Sequence, residues 1–338
     1  METSNVFNTP PPEFNQEEVL DILLKYYNID CSIENLVSDR DQNFKIISKE
    51  QIYILKIANS AESKRVLEMQ NLAMNYISNK DSSLDISIPI KSRNDEEIIH
   101  VKHNNHGHYV RLLSYVDGKF LNQIEPSPYL MTSLGEFLGD IDQLFKGFKH
   151  PAANREFVWD ARQVDVLNQQ LKYSEKEKTL ISYFINLFNE RLSNQANLFS
   201  MSIIHNDGNE NNILIGPDKK MKSIIDFGDM IYSYSALEPA VCMAYIAIDN
   251  KKPFSLIASL LKGYNSTNPL SIFELESVVY LMCLRMCITV NMSVYRKQLF
   301  PENDYISISE DSARKFLLYM MEQDIKQWSS DLTEYAKS

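Results

Sequence analysis

The feature that most constrains this chain is a polar loop between two apolar, β-branched runs at residues 203–215, which read Ile-Ile-His-Asn-Asp-Gly-Asn-Glu-Asn-Asn-Ile-Leu-Ile. A turn-like Gly-Pro-Asp-Lys-Lys segment and a third apolar run then lead to Asp-Phe-Gly-Asp at 226–229. Apolar runs separated by Gly, Pro, Asn and Asp predict a strand, a turn and a strand. Such a hairpin would bring Asp207, Asn212 and Asp226 to one edge.

Oxygen ligands collected in this way suit Mg²⁺, which takes one or two carboxylates together with substrate phosphates and waters. A further carboxylate outside the metal sphere can orient or deprotonate a hydroxyl, and phosphoryl transfer needs this combination. We therefore predict that Asn212 and Asp226 hold Mg²⁺ and that Asp207 is catalytic. The alternative is an ordinary polar hairpin with a chance Asp-Phe-Gly. Five specified polar positions in the right order between strand-like runs argue against that alternative.

The pattern His-x-Asp-x-x-x-x-Asn followed by Asp-Phe-Gly-Asp resembles the aminoglycoside phosphotransferase and choline kinase superfamily, which has the protein-kinase-like fold. Protein kinases carry His-Arg-Asp in this loop, whereas residue 206 is Asn here, so a protein kinase is disfavoured. Residues 39–44 (Asp-Arg-Asp-Gln-Asn-Phe) and 55–59 (Leu-Lys-Ile-Ala-Asn) are most similar to the hydroxylysine kinase branch of the superfamily.

The resemblance implies an α+β fold with two lobes, a small β-rich N-lobe and a larger, mainly helical C-lobe. We expect residues 15–116 to form the N-lobe, which binds the nucleotide, and residues 117–338 to form the C-lobe with the catalytic loop and the acceptor pocket. Residues 1–14 read as a disordered lead-in, because Pro10, Pro11 and Pro12 block a helix there.

Lys56 lies within an otherwise apolar strand, where its ammonium would be costly to bury unless it were paired. A kinase needs such a lysine to hold the α- and β-phosphates and to pair with a glutamate on a helix. The helical pattern at 61–78 offers Glu62 and Glu68, and we predict Glu68, because Glu62 lies at the start of the helix. The alternative is a lysine that extends from an edge strand to solvent.

The loop at 38–43 joins the first two predicted strands and, in kinase-like folds, lies over the nucleotide phosphates. It contains no glycine, so Gln42 and Asn43 are the expected side-chain donors, although a plain hairpin loop is the alternative. The resemblance also implies that backbone groups of Ser114, Tyr115 and Val116, at the hinge, bind the base of ATP or GTP.

The resemblance implies further roles around the catalytic loop. His205 braces the loop, and Asp229 supports the metal or binds an acceptor amine. Arg285 and Arg296 are candidates for reading an acceptor carboxylate, although packed or solvated arginines are the favoured interpretation. Trp159 and Asp160 are candidates for facing the substrate. The alternative, which we favour, is that they cap a helix and pack against it. The histidines at 103, 106 and 108 suggest either a metal site or, as we favour, a solvated hairpin turn.

Composition limits the partners and the compartment. The formal net charge of −11 disfavours nucleic acid, which needs a basic surface, and is compatible with a cationic or zwitterionic small-molecule acceptor. No apolar run approaches 18 residues and no signal-peptide core is present, so we expect neither a membrane span nor export. Three of the four cysteines (Cys242, Cys283 and Cys287) lie in apolar helical patterns, as buried thiols of a cytoplasmic protein would.

Three functions therefore compete. The first is a small-molecule kinase that phosphorylates a hydroxyl of an amino alcohol or a hydroxylysine-like amino acid, acting as a monomer or homodimer. The second is an aminoglycoside-type antibiotic phosphotransferase. The third is a catalytically silent pseudokinase that serves as a binding module, which would be expected to have lost Lys56 or a metal ligand.

Overall fold

The computed structural model describes residues 5–165, 175–218, 220–248, 250–303 and 309–338. The N-lobe is built on a six-stranded antiparallel sheet in the order β1-β2-β3-β6-β4, with β5 also paired to β6. Its strands are β1 (Cys31–Leu36), β2 (Gln42–Ser48), β3 (Ile52–Ile57), β4 (Pro89–Ile90), β5 (Ile99–His103) and β6 (His106–Ser114). The predicted two-lobe α+β fold is confirmed, while the boundary between residues 116 and 117 stays a prediction.

Alternation of apolar residues gives the N-lobe sheet its buried face. Phe44 and Ile46 in β2 lie opposite Leu55 and Tyr53 in β3, and Phe44, Ile46 and Leu55 are almost fully buried. Helix α1 (Gln16–Ile22) packs on this face and starts with a capping box, in which the Asn15 side chain and the Glu18 side chain bond each other's backbone N–H groups. The sheet is thereby fixed as the upper wall of the cleft.

The prediction that residues 1–14 form a disordered lead-in is wrong for residues 5–14. Residues 5–8 form a 3-10 helix, and Phe7 is buried in the core of the C-lobe. Phe14 is buried on the other side, in the core of the N-lobe sheet. The three prolines exclude a helix as expected, but apolar side chains on either side of them supply the burial that orders the segment.

Nine helices are described, and those after α2 make up most of the C-lobe. Helix α2 (Lys64–Lys80) lies between the N-lobe sheet and the C-lobe core. The others are α3 (Pro128–Phe145), α4 (Glu175–Leu192), α5 (Leu237–Ile248), α6 (Pro253–Thr267), α7 (Ile272–Leu299), α8 (Glu310–Met321) and α9 (Ile325–Lys337). A short break separates the last two helices, since α8 ends at Met321 and α9 starts at Ile325.

Two small sheets carry the polar loops below the cleft. One has the order β10 (Met221–Ile224), β9 (Ile213–Ile215) and β7 (Lys119–Phe120), and the other pairs β11 (Ile231–Tyr234) with β8 (Met201–Ile204). The predicted β9–β10 hairpin is confirmed. Residues 231–234 were not predicted as a strand, and they form one because they pair with β8.

Helix α7 is long and apolar enough to cross a membrane, and 94% of its most apolar window is buried within the protein. The sequence analysis found no uninterrupted apolar stretch close to 18 residues and did not single out this helix. The helices around α7 cover it, since it contacts α4, α5, α8 and α9. It is the central helix of the C-lobe core.

The histidine-rich segment forms the predicted hairpin turn between β5 and β6, with His103 opposite His106. Asn104 and Asn105 both have positive φ at the turn. His108 is not solvated as expected, because its Nδ1 lies 3.0 Å from the Ala58 carbonyl oxygen in a buried position.

Candidate active site

The predicted polar residues meet in a cleft of about 700 Å³ between the lobes. Lys56 enters it from the N-lobe sheet, and Asp207, Asn212 and Asp226 enter it from the loops of the C-lobe. Ligand pockets in proteins occupy about 300–1,000 Å³, so the cleft has room for a nucleotide and part of a second small molecule.

Asp207 is held by the loop on which it lies. Asn212 Nδ2 donates to Asp207 Oδ2 at 2.7 Å and to the Asp207 carbonyl oxygen at 3.0 Å, and Asn209 Nδ2 donates to Asp207 Oδ1 at 2.9 Å. Burial and the nearby charge of Asp229 raise the pKa of Asp207, while Arg285 opposes the shift. Asp207 is thus an oriented carboxyl with a high proton affinity, as a group that accepts a proton from a hydroxyl needs.

His205 is a brace for this loop. Its Nε2 lies 3.1 Å from the Ile225 carbonyl oxygen and its Nδ1 accepts the Asp207 backbone N–H at 3.3 Å. One ring nitrogen must therefore donate and the other accept, which is the neutral form. Burial lowers the pKa of His205 to about 4, so the ring stays neutral at physiological pH. The predicted bracing role agrees with these contacts.

Glu238, at the start of α5, is a second brace that the sequence analysis did not identify. Its Oε2 accepts the Asn206 backbone N–H at 2.9 Å in a buried position. Asn206 has φ +63°, a left-handed conformation that asparagine tolerates better than most residues. The only sequence signal was an acid beside a proline in the first turn of a helix, and that pattern by itself indicates a helix start.

Asp226 lies at the end of β10 with φ +63° and faces the N-lobe. Lys56 Nζ donates to Asp226 Oδ1 at 3.0 Å, and the Gly228 N–H donates to the same oxygen at 3.3 Å. Burial alone would raise the pKa of Asp226, but the charges of Lys56 and Arg40 lower it overall. Asp226 is therefore anionic, as a metal ligand must be.

The predicted pairing of Lys56 with Glu68 is wrong. Glu68 is half-buried and lies 3.5 Å from Lys64, one helical turn away, while the partner of Lys56 is Asp226. Of the two candidate glutamates, Glu62 lines the cleft; the sequence analysis rejected it because it lies at the start of the predicted helix. Burial and Asp41 raise the pKa of Glu62, whereas Arg155 and Arg40 oppose the rise.

The loop over the cleft uses other side chains than those predicted. Gln42 turns away from the cleft, where its amide bonds both the backbone N–H and the carbonyl of Phe14, so its predicted phosphate contact is not supported. Asn43 lines the cleft, and its buried Oδ1 has no hydrogen-bond partner among the described residues. Arg40, which the sequence analysis did not select, also lines the cleft and donates to Asp229 Oδ1 at 2.6 Å.

At the hinge, Ser114, Tyr115 and Val116 all line the cleft. The Ser114 N–H already donates to the Ile88 carbonyl, and the Ser114 carbonyl accepts the Ser87 hydroxyl. Contacts with a nucleobase therefore fall to Tyr115 and Val116, whose role stays a prediction.

The cleft is also lined by Trp159, Tyr245 and Arg285. Arg285 is almost fully buried and donates to the Trp159 carbonyl at 2.8 Å, while its Nη2 lies 3.4 Å from Asp207 Oδ1. Its guanidinium carbon lies 4.6 Å from the centre of the Trp159 ring. Arg285 is thus a packed arginine, in agreement with the interpretation that the sequence analysis favoured. It nevertheless lies beside the Asp207 carboxyl.

Asp160 and Arg296 have structural contacts, which agrees with the packing roles that the sequence analysis favoured for them. Asp160 is buried and accepts the Ser233 hydroxyl at 2.6 Å, which ties its loop to β11. Arg296 donates to the carbonyls of Phe7 and Asp39.

The residues present fit a magnesium ion. The Asn212 amide nitrogen is used by Asp207, which leaves the amide oxygen to face a metal beside the anionic Asp226. Among the described residues, no group of three or more His, Cys, Asp or Glu could hold a metal by itself. This donor set therefore matches an ion that completes its shell with phosphate oxygens and waters.

Comparison with known proteins agrees with this geometry. Residues 32–272 match the model of the phosphotransferase enzyme family. The hydroxylysine kinase of Mus musculus is 25% identical over 97% of this chain and 94% of its own length. An amicoumacin kinase solved with AMP-PNP and Ca²⁺ superposes with a TM-score of 0.74 at 15% identity, over 93% of this chain and 97% of its own.

A microcompartment-associated aminopropanol kinase has the same fold, with a TM-score of 0.69 at 15% identity over 94% of this chain and 96% of its own. The family match covers more than half of the chain and includes the N-lobe strands, the catalytic loop and Asp226. The chain belongs to the phosphotransferase enzyme family, as a kinase that transfers phosphate from a nucleotide to an alcohol group of a small molecule.

Proposed function

We propose that this protein transfers the γ-phosphate of ATP or GTP, as its Mg²⁺ complex, to the hydroxyl of a hydroxylysine-like amino acid. The convergence of Lys56, Asp207, Asn212 and Asp226 on one interlobe cleft carries the proposal. These are the groups that phosphoryl transfer requires, because the reaction depends on positioning and charge neutralisation more than on covalent chemistry of the protein.

In the proposed mechanism, Lys56 binds the α- and β-phosphates and Asp207 accepts the proton of the acceptor hydroxyl. Asn212 and Asp226 would hold Mg²⁺, which neutralises the charge of the β- and γ-phosphates when bound. His205 and Glu238 keep the backbone of residues 205–207 in place through their hydrogen bonds.

Two observations support an amino-acid acceptor. Relatives that align with more than nine-tenths of this chain carry the name hydroxylysine kinase in mouse and cattle. In addition, Arg285 places a buried cation beside Asp207 on the acceptor side, where an acceptor carboxylate would be attracted. Amino alcohols such as aminopropanol lack that carboxylate.

An acceptor panel with a nucleotide-consumption assay tests this function. Hydroxylysine should give Mg²⁺-dependent turnover with ATP or GTP, and lysine, which differs only by lacking the hydroxyl, should give none. Aminopropanol and spectinomycin test the amino-alcohol and antibiotic alternatives. Turnover confined to spectinomycin would replace the proposed function with the antibiotic one.

The cleft does not support the pseudokinase alternative. A pseudokinase would be expected to have lost Lys56 or a metal ligand, whereas here Lys56 bonds Asp226 and Asn212 bonds Asp207. A ligand that binds only the folded state raises its stability. Mg²⁺-ATP or Mg²⁺-GTP should therefore raise the melting temperature, and an unchanged melting temperature with both would favour the binding-module alternative. A cytoplasmic location and a monomeric or homodimeric state stay predictions.

A further inference from the structure

Arg40 holds an unusual position in the loop between β1 and β2. It is the cation of a glycine-free loop, and its Nη2 crosses the cleft to Asp229 Oδ1 on the C-lobe at 2.6 Å. The Arg40 side chain lines the cleft and keeps 22% of its surface exposed. Its guanidinium is therefore accessible to a ligand while it holds Asp229. A guanidinium has five N–H donors, and Asp229 occupies one nitrogen.

The loop that carries Arg40 is clamped in place by side chains. Buried Asn59 donates through its backbone N–H to Asp41 Oδ1 at 3.1 Å and through Nδ2 to the Arg40 carbonyl at 3.3 Å. From the C-lobe, Arg296 Nη2 lies 3.0 Å from Asp39 Oδ1. A loop fixed in this way places side-chain donors accurately, whereas a glycine-rich loop offers mainly its backbone N–H groups.

The Arg40 guanidinium packs against an aromatic ring. Phe7 lies 5.0 Å from the Arg40 guanidinium carbon and 5.8 Å from that of Arg296, measured to the ring centre. Stacking on an aromatic ring stabilises a guanidinium while its in-plane N–H groups stay available for other partners.

Arg40 also lies beside the groups proposed to hold the triphosphate. A Cβ on Gly228 would be 3.2 Å from Asp226 Oδ1 and 3.5 Å from Arg40 Nη2, so both groups border the same small space. Lys56 reaches Asp226 from the other side. Two cations of the N-lobe thus flank the proposed metal ligand.

We propose that Arg40 is a catalytic residue that binds the terminal phosphate of the nucleotide, in the role for which the sequence analysis selected Gln42. Asp229 holds the guanidinium in position while its other N–H groups contact phosphate oxygens. This inference rests on the proposed kinase function and adds a specific residue to it. A guanidinium suits this task because its donors match phosphate oxygens in pairs.

The test compares Arg40→Met with Arg191→Met. Each variant removes a guanidinium whose Nη2 bonds one carboxylate, Asp229 for Arg40 at 2.6 Å and Glu276 for Arg191 at 2.7 Å, but Arg191 does not line the cleft. Isothermal titration calorimetry would measure the affinity for Mg²⁺-ATP and for adenosine, which lacks phosphates. Arg40→Met should weaken Mg²⁺-ATP at least tenfold and adenosine less than twofold, whereas Arg191→Met should leave the ratio of the two affinities within twofold.

A double variant, Arg40→Met with Asp229→Asn, separates phosphate binding from simple charge masking. If Arg40 binds phosphate, the double variant stays impaired for Mg²⁺-ATP. Full recovery would show that Arg40 only neutralises Asp229 and would overturn the inference, as would an equal loss in Arg191→Met. Arg40→Lys, which keeps the charge, should recover part of the Mg²⁺-ATP affinity, and its failure to bind better than Arg40→Met would also count against the inference.

Turnover gives a second readout. With the accepted hydroxyl compound, kcat of Arg40→Met should fall about a hundredfold, because arginines that neutralise the transferred phosphoryl group commonly contribute at least that much. Failure of the wild-type protein to bind either Mg²⁺-ATP or Mg²⁺-GTP would overturn the proposed function itself, and an unchanged ATP-to-adenosine ratio in Arg40→Met would overturn only the role of Arg40.

Discussion

At the scale of single residues, the site depends on side chains that hold backbone as much as on those that face the cleft. Asp207 is oriented by two asparagine amides and by the neutral ring of His205. Glu238 takes the neighbouring N–H of Asn206, which the left-handed conformation of that residue turns inward. The catalytic loop is therefore preorganised by hydrogen bonds within the protein.

The role of Asp207 can be separated from that of Asp226. Asp207→Ala should lower kcat about 10²–10⁴-fold, the usual contribution of a positioned acid or base, while the affinity for Mg²⁺-nucleotide stays measurable. Asp226→Ala should instead lose Mg²⁺-dependent nucleotide binding. Asp311→Ala, which changes an exposed acid on α8, is the control. Unchanged turnover in Asp207→Ala would contradict the proposed role.

His205 predicts a pH dependence of stability. Because the pKa of the buried ring is about 4 rather than 6.5, the unfolded chain binds a proton that the folded chain does not. The stabilisation that comes from keeping this ring neutral is fully present above pH 6.5 and is lost as the pH falls toward 4. At pH 5 this loss has lowered the free energy of unfolding by about 2 kcal/mol.

Replacement of His205 by Gln, which keeps a donor and an acceptor, removes this titration. Urea unfolding of the wild-type protein and His205→Gln between pH 5 and pH 8 measures the difference. The stability advantage of the wild-type protein should shrink as the pH is lowered, and a constant difference would show that the ring is not held neutral.

At the scale of elements, the C-lobe depends on a close approach of α3 and α6. A Cβ on Gly135 would lie 2.0 Å from the Leu260 carbonyl oxygen, and a Cβ on Gly263 would lie 2.0 Å from the Thr132 carbonyl oxygen. Neither glycine has positive φ, so each is needed for space and not for its backbone conformation. The two helices touch through their backbones at these points.

Gly135→Ala should therefore destabilise the protein although alanine favours a helix. Overpacking of this kind costs about 1–3 kcal/mol, which exceeds the roughly 1 kcal/mol gained in helix propensity. Thermal or urea unfolding would measure the loss. Glu136→Ala, at the next and exposed position of α3, should change stability by less than about 0.5 kcal/mol. Equal effects in the two variants would contradict the close approach.

At the scale of the whole molecule, the two lobes are joined by more than the hinge. Among the described residues, four ion pairs cross between them: Lys56 with Asp226, Arg40 with Asp229, Lys222 with Asp85, and Arg296 with Asp39. Residues 7–14 add a strap, because Phe7 is buried in the C-lobe core while Phe14 packs in the N-lobe core. Asn59 of the N-lobe holds the middle of the strap through the carbonyls of Thr9 and Pro10.

Phe7→Ala should consequently destabilise the entire protein by about 3 kcal/mol, the lower end for a buried phenylalanine, and should also weaken nucleotide binding by loosening Arg40. Urea unfolding and calorimetry would measure the two effects. Leu198→Ala, which truncates an apolar side chain that is 51% exposed and does not line the cleft, is the control. Wild-type stability in Phe7→Ala would indicate that the strap contributes nothing.

The sequence by itself determined the fold class and the clustering of Asp207, Asn212 and Asp226, which we propose for catalysis and metal binding. Those residues lie on one continuous stretch, where the order of polar residues between strands fixes which side chains reach the same edge. The β9–β10 hairpin and the amphipathic helices likewise follow from local periodicity.

Only the tertiary structure decided which side chains from distant parts of the chain meet across the cleft. Lys56 pairs with Asp226, 170 residues away, instead of Glu68, and Arg40 rather than Gln42 faces the C-lobe. The order of residues 5–14 has the same origin, because burial of Phe7 and Phe14 depends on the two lobes that receive them. Contacts of this kind are set by the packing of whole elements, and no local pattern of residue types specifies them.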